Sequence, residues 1–217
     1  LVSLDNKSWG GIIHGEAFSY LERIDSGEST DDKAVPFTDN LFGLSVEVTS
    51  NGNVLVVGNP RSTTTERADG KAKVFERKEN SWIQKGDDIT ISDPVFFADQ
   101  FGFGVSISPD GNIVVVSGVQ TIDRKGFVCV YEFVDNKWNK LGDRIEGEAI
   151  GDRFGYYVSL SRNGKRVSIG AVENDGDSGN DVGHIRVYEF IDNVWRQIGK
   201  DIDGNVRPES DWRREWF

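Results

Sequence analysis

Short runs of alternating apolar and polar residues, separated by tight turns, recur along the chain. Near its middle the string V-S-I-S at 105–108 alternates strictly, Asp110-Gly111 follows, and residues 113–116 are continuously apolar. A period of two predicts a half-buried β-strand, and a short apolar run between turns predicts a strand buried on both faces. Asp-Gly favours the type I′ turn of a β-hairpin. The segment therefore predicts a hairpin whose second strand lies inside a packed structure.

The same arrangement occurs three times, about 56 residues apart. Each copy has a Phe-Gly pair, a strand, an Asn-Gly or Asp-Gly turn, a second strand, a loop to a glycine, a third strand and a tryptophan that opens a fourth strand. The Phe-Gly pairs stand at 42–43, 101–102 and 154–155, and the tryptophans are Trp82, Trp138 and Trp195. A four-stranded unit of this length is typical of a β-propeller blade.

We therefore predict an all-β protein, a propeller-like array of four-stranded blades. Three full blades are expected, at residues 38–96, 97–150 and 151–204. Residues 1–37 are predicted to form a partial blade and a connecting loop, because D-N-K-S-W at 5–9 resembles D-N-K-W at 135–138. The repeat pattern ends at 204, which makes residues 205–217 a tail. The pattern leaves open whether the strands close a ring or form an arc that a partner completes.

The charge balance restricts the partners. Acidic residues outnumber basic ones by 36 to 25, so the formal net charge is −11 and the pI is about 4.7. Nucleic acids and anionic membrane surfaces both require a basic face. In addition, no apolar run reaches the length of a transmembrane helix. The sequence therefore predicts no nucleic-acid partner and no direct insertion into a membrane.

Residue types that carry catalysis do not converge in this sequence. There are two histidines, His14 and His184, and one cysteine, Cys129, without a Gly-rich phosphate loop or paired cysteines. The counterparts of Cys129 in the other copies are Lys73 and Arg186, which predicts a partly shielded thiol outside the deep core. The repeated aromatic residues are expected to pack within and between blades rather than to stack on sugars. We predict that the chain is not an enzyme and that calcium is the one cofactor it could bind.

The string F-G-x-x-V-x-x-S-x-x-G, followed by V-Y-E-F and W-x-x-x-G-x-x-I, resembles FG-GAP repeats, the blades of integrin-α-type propellers. The resemblance covers about residues 38–204. The W-x-x-x-G-x-x-I variant is similar to repeats of secreted or organellar proteins of marine microalgae, which favours an extracytoplasmic or organellar-luminal location. What the resemblance implies is the propeller fold, with little information about function.

Many blades of that family bind calcium through an Asp-rich loop between their first two strands. The matching turns here, at 50–52, 109–111 and 162–164, are too short to supply the several oxygen ligands that calcium requires. The better cation candidate is the acidic loop 173–181, in which Asp175, Asp177 and Asp181 are the candidate ligands. The alternative is an acidic surface loop that holds no ion.

The tail carries several aromatic and basic residues outside the repeat, namely Trp212, Arg213, Arg214, Trp216 and Phe217. Tryptophan and arginine are common anchors of protein interfaces. We predict that these residues bind a protein partner, with packing against the last blade as the alternative.

The leading hypothesis is a non-enzymatic structural or protein-interaction module, a scaffold that contacts a protein partner through its loops, edges and tail. One alternative is an accessory subunit of a large membrane-bound organellar assembly, such as a photosynthetic complex. A second is a carbohydrate- or cation-dependent adhesion module. A third is a propeller hydrolase, which would need two carboxylates with perturbed pKa values in one cleft.

Overall fold

The computed structural model describes residues 41–61, 70–91, 100–119, 125–175 and 181–205, which contain fourteen β-strands and no α-helix. The strands are β1 Val46–Val48, β2 Val54–Asn59, β3 Lys71–Lys78, β4 Ser81–Gln84, β5 Val105–Ile107, β6 Ile113–Gly118, β7 Phe127–Val134, β8 Lys137–Lys140, β9 Ile145–Glu146, β10 Phe154–Leu160, β11 Arg166–Ala171, β12 His184–Ile191, β13 Val194–Gln197 and β14 Ile202–Asp203. The predicted partial blade within 1–37 lies outside the described residues. No helix in the described part is long and apolar enough to span a membrane.

The strands form three antiparallel sheets, and in each the strand order follows the chain. Blade 1 is β1-β2-β3-β4, blade 2 is β5-β6-β7-β8 and blade 3 is β10-β11-β12-β13. Two short outer strands complete the pattern, because β9 pairs with β7 and β14 pairs with β12. The first strands of successive blades contact each other and form the inner side of the array. The predicted all-β array of four-stranded blades is confirmed, and the described residues do not close a ring.

Each blade has two faces, and adjacent blades pack face to face. We call the face toward the preceding blade in the chain its leading face, and the face toward the following blade its trailing face. The trailing face of blade 1 and the leading face of blade 2 form one core, built on Val56, Val74, Ile89, Val105, Val114 and Val116. The trailing face of blade 2 and the leading face of blade 3 form the other, built on Val115, Val128, Val130, Ile145, Val167 and Ile169. The second strand of blade 2, β6, therefore has a continuous apolar run because blades cover both of its faces.

The repeated aromatic residues lie at these blade boundaries. Phe101 and Phe154 are fully buried at the start of blades 2 and 3. Trp138 donates its indole N–H to the carbonyl oxygen of Lys85 in blade 1 at 2.8 Å. Trp195 makes the equivalent bond to Leu141 in blade 2 at 2.7 Å. In blades 2 and 3 the Phe and Trp positions thus join each blade to the preceding one.

The turn between the first and second strands differs from the predicted type I′. The N–H of Gly111 donates to the Ser108 carbonyl at 2.8 Å, so the central residues are Pro109 and Asp110, and neither has the positive φ that type I′ needs. Gly111 follows them with a φ of +71°. The φ of Asp110 is negative, and its carboxylate accepts the backbone N–H of Asn112 at 3.1 Å. Both central residues have positive φ instead at Asp135-Asn136, between the third and fourth strands. The type I′ geometry therefore belongs to the outer hairpin of blade 2.

The prediction for Cys129 is wrong. Its side chain is in the core between blades 1 and 2, and burial raises the pKa of its thiol to about 11. The counterparts Lys73 and Arg186 are half-buried and form ion pairs with Asp88 and Asp201. In blade 2 the place of that aspartate is taken by Arg144, whose guanidinium lies 5.1 Å from the ring of Phe127. An apolar Cys129 fits because its blade has no outer carboxylate at this position.

Candidate functional site

The predicted cation loop is described on either side of residues 176–180. Asp175 and Asp181 are exposed, and Asp175 Oδ1 accepts the backbone N–H of Asp181 at 3.0 Å. Asp177 lies outside the described residues. The two described carboxylates stand at the base of one loop, and cation binding there stays a prediction.

The carboxylate of the Asp110 turn stabilises the turn itself. Burial alone would raise the pKa of Asp110, but hydrogen bonds from Ser108 and Asn112 outweigh it and hold the pKa below its usual range. The related amides at Asn51 and Asn163 each accept a backbone N–H two residues later, at 3.0 and 3.1 Å. These side-chain oxygens therefore bind the backbone of their own turns.

The predicted partner-binding residues of the tail, Trp212, Arg213, Arg214, Trp216 and Phe217, lie outside the described residues. Their role stays a prediction. The last described residue, Asn205, follows directly after β14 on the outer side of blade 3.

A cluster of charged residues closes the outer corner of blade 3. The guanidinium of Arg186 binds both carboxylate oxygens of Asp201, with Nε–Oδ1 at 3.0 Å and Nη2–Oδ2 at 2.6 Å, and it also contacts Glu148. Hydrogen bonding by Arg186 holds the pKa of Asp201 below its usual range. The buried ring of His184 places Nδ1 3.9 Å from the same carboxylate.

Glu148, His184 and Asp201 have potential ligand atoms within 4.8 Å of one another, the spacing of a metal site. Arg186 already forms ion pairs with both carboxylates, and a cation placed there would face the positive charge of its guanidinium. Because Glu148 belongs to the connection that follows blade 2, the cluster fastens that connection to blade 3. We interpret it as a structural ion-pair network.

Among the described residues, no blade covers the trailing face of blade 3. Tyr157, Gly170, Ile185 and Ile202 are direct cross-strand neighbours on β10, β11, β12 and β14, so they form one row on this face. Tyr157 is 68% exposed, Ile185 45% and Ile202 60%. The three large side chains therefore present a continuous apolar strip to solvent, which we call the open face.

The same row is buried in the other two blades. In blade 2 the counterparts of Ile185 and Ile202 are Val128 and Ile145, and in blade 1 they are Ala72 and Ile89. Ile145 is 6% exposed under blade 3, and Ile89 is 2% exposed under blade 2. The open face is thus a blade-binding surface without a blade on it in the described residues.

A groove of about 500 Å³ runs along the open face. Tyr157, Ile185 and Ile202 line it together with the hydroxyls of Ser159 and Ser168. The described residues of its lining include the carboxylate of Asp203 and the residue His184. His184 is the cross-strand partner of Ala171, which places its side chain on the leading face. The groove is therefore mainly apolar, with a few hydroxyl groups.

Three aromatic rings meet at the inner end of this region. Phe103 and Tyr156 have ring centroids 5.0 Å apart, as do Tyr156 and Tyr157. The ring planes are inclined by 54° and 69°. Phe103 and Tyr156 are half-buried and the rings are inclined, so the cluster does not present a row of coplanar exposed rings.

The sequence matches no protein-family model, and no curated protein is significantly similar to it. Among solved structures, the periplasmic gluconolactonase of Pseudomonas aeruginosa is 12% identical, with a TM-score of 0.47 over 74% of this chain and 39% of that one. Hydrazine synthase of Kuenenia stuttgartiensis is 11% identical, with a TM-score of 0.46 over 78% and 38%. TolB of Acinetobacter baumannii is 11% identical, with a TM-score of 0.38 over 72% and 32%.

This chain thus spans about a third of the length of the structures it is similar to. The gluconolactonase and TolB are β-propeller-type proteins. At this level of similarity the propeller-like fold of the chain rests on its own three sheets, and the resemblance to FG-GAP repeats stays a prediction.

Proposed function

We propose that this chain is a non-enzymatic protein-interaction module, a propeller-like scaffold that binds a protein partner through the open face of blade 3. The observation that carries the proposal is the exposed row of Tyr157, Ile185 and Ile202. Apolar strips of this kind on a sheet are costly in water and mark interaction sites when they persist.

The surroundings of the row support binding to a protein. The groove beside it has apolar walls that would receive apolar side chains, and Ser159 and Ser168 offer hydrogen bonds that fix their orientation. Blade 3 holds this surface rigidly, because its leading face is anchored in the core with blade 2. The tail residues Trp212 to Phe217 follow blade 3 in sequence and are proposed as additional contacts.

The lining also favours binding over hydrolysis. General acid/base hydrolysis needs two positioned groups. Among the described residues that line the groove, Asp203 is the one carboxylate, and His184 lies in register with Ala171 on the opposite, leading face. A binding surface needs only complementary shape and a few oriented polar groups. The propeller hydrolase stays the alternative, and detection of hydrolytic activity in the purified chain would favour it.

Co-purification with matched variants tests this proposal. The tagged wild-type chain, Ile202→Asp and Ile150→Asp are each isolated under mild conditions from cells that make the protein. Ile150 is 61% exposed in the connection between blades 2 and 3 and does not line the groove, so its variant is the matched control. We expect a stoichiometric protein with the wild type and the control that is lost with Ile202→Asp. A partner retained equally by all three chains, or none at all, would contradict the proposal.

A further inference from the structure

The two internal blade boundaries share one set of contacts. At the outer side a tryptophan of the following blade donates to a carbonyl of the preceding one, Lys85 or Leu141, at 2.8 and 2.7 Å. A glycine next to that carbonyl makes room for the indole: a Cβ on Gly86 would lie 3.0 Å from Trp138, and one on Gly142 3.0 Å from Trp195. The carbonyl and its glycine together form a seat for tryptophan.

The inner side of each boundary has its own bond. A trailing-face side chain on the first strand accepts a backbone N–H from the first strand of the next blade. Glu47 accepts the N–H of Ile107 at 2.7 Å, and Ser106 accepts the N–H of Leu160 at 3.0 Å. A following blade is thus recognised at its tryptophan and at its first strand.

Blade 3 repeats these receiving groups on its open face. Ile198 and Gly199 occupy the places of Leu141 and Gly142, and within the described residues nothing lies within 4 Å of a Cβ on Gly199. Ser159 occupies the place of Ser106 and is exposed, whereas Ser106 is buried. The open face therefore has the features that bind a further blade at the other two boundaries.

Blade 1 presents the complementary surface. Its leading face exposes Val46, Val48 and Trp82, whose counterparts in blade 2 include the buried Val105 and Ile107. Trp82 is 37% exposed, compared with 9% for Trp195, which occupies the same position in blade 3. The described residues of one chain therefore carry one uncovered surface of each kind, a trailing face on blade 3 and a leading face on blade 1.

We propose that the open face of blade 3 binds the leading face of blade 1 of a second copy of this chain. The proposal rests on the proposed function and names its partner. In this contact Trp82 of the second copy fills the space at Gly199 and donates to Ile198, and Ser159 accepts an N–H from the first strand of its blade 1. A single contact of this kind is heterologous, so two copies can close a ring when the rotation suits. The described residues of two copies contribute six blades, within the range of four to eight that propellers use.

Charge opposes this association. Each copy carries a formal net charge of −11, so two copies repel at low ionic strength. The contact itself is apolar and is little affected by screening, whereas the repulsion falls as salt is added. We expect the dimer to become tighter with added sodium chloride, the opposite of an association held by ion pairs.

Molar mass in solution tests the proposal. Sedimentation velocity across the micromolar range is run on the wild type, on Ile202→Asp at the open face, on Trp82→Ala at the opposite face and on the control Ile150→Asp. We expect a dimer for the wild type and the control, and at least a roughly tenfold weaker association for each face variant. Unchanged far-UV circular dichroism shows that the variants are folded.

Mixing distinguishes a head-to-tail contact from a symmetric one. A mixture of Ile202→Asp with Trp82→Ala restores one intact contact between unlike chains, so the mixture associates more tightly than either variant alone. Association that depends on only one of the two faces, or a monomer at every concentration, overturns the second-copy proposal. A monomer that still binds a different protein through Ile202 overturns this proposal while leaving the proposed function standing.

Discussion

Val128 and Ile145 lie side by side on the trailing face of blade 2 and are buried beneath blade 3, whereas Ile185 and Ile202 hold the same places in blade 3 and face solvent. The side chains are alike and the strand pairing is alike. The surroundings differ because blade 2 has a following blade among the described residues and blade 3 has none. The repeat therefore determines which residue stands at each place, and the neighbouring blade determines whether that residue stabilises the fold or remains available for binding.

The largest expected effect concerns the first aromatic position of the repeat. Phe154 is fully buried at the boundary of blades 2 and 3, so Phe154→Ala should lower the free energy of unfolding by about 3–5 kcal/mol. Phe42 holds the same place at the exposed side of blade 1, so Phe42→Ala should cost about 1 kcal/mol or less. Urea unfolding of both variants measures the two values. Equal losses would mean that burial at the boundary is not what separates them.

The row on the trailing face gives the next comparison. Ile145→Ala removes buried atoms and leaves a cavity, so we expect a loss of about 2–4 kcal/mol. Ile202→Ala removes exposed atoms and should change the free energy of unfolding by less than about 0.5 kcal/mol at concentrations where the chain is monomeric. Denaturant midpoints at low protein concentration provide the measurement. A large loss from Ile202→Ala would show that another part of the same chain already covers the open face.

Substitutions at Gly142 and Gly199 compare a tryptophan seat that is filled by the next blade with one that is empty in the described residues. Gly142 and Gly199 have almost the same φ, +74° and +77°, so Gly→Ala should cost each about 1–2 kcal/mol for the left-handed conformation. At Gly142 the added methyl group also meets Phe190 at 2.9 Å and Trp195 at 3.0 Å. Gly142→Ala should therefore be the more destabilising in thermal unfolding. The reverse order would contradict an unfilled seat at Gly199.

The smallest effect is the pH dependence of the outer cluster. The folded-state pKa of Asp201 lies below the ordinary value of 3.8, so its contribution to stability is complete above that value and is lost as the pH falls through the folded pKa. The pair is only partly buried, so we expect it to contribute about 0.5–1 kcal/mol to the free energy of unfolding. Asp201→Asn should remove this loss from the acid unfolding curve, while Asp143→Asn serves as the control. An unchanged acid transition would mean that the ion pair contributes nothing to folding.

The sequence was sufficient to predict the blades because their signals are local and repeated. Alternation in 105–108, the apolar run at 113–116 and the tryptophans at a fixed place each specify a strand or a boundary without reference to distant residues. Burial of Phe101 and Phe154 and the indole bonds of Trp138 and Trp195 agree with that prediction.

Other features depend on neighbours that a single copy does not specify. The charged residues at the same register position, Lys73 and Arg186, predict a partly exposed Cys129. They each pair with an outer aspartate that blade 2 lacks, and Cys129 is buried instead. The open face was missed because Ile202 looks the same in sequence as Ile89 and Ile145. The turn type was misjudged because the side chain of Asp110 binds the backbone of its own turn and keeps a negative φ.

The most direct test of the open face as a docking surface uses thiol labelling at two equivalent serines. Cys129 is the chain's single cysteine and is buried with a raised pKa, so the background reaction is slow. Ser159→Cys places a thiol on the open face, Ser106→Cys places one at the internal boundary, and Ser50→Cys places one on an exposed turn. We predict fast labelling of Ser159→Cys at high dilution that slows as the protein concentration rises, with Ser106→Cys slow and Ser50→Cys fast throughout. Equal labelling of Ser159→Cys at every concentration, whether fast or slow, would contradict a face that is open in the single chain and covered by a second copy.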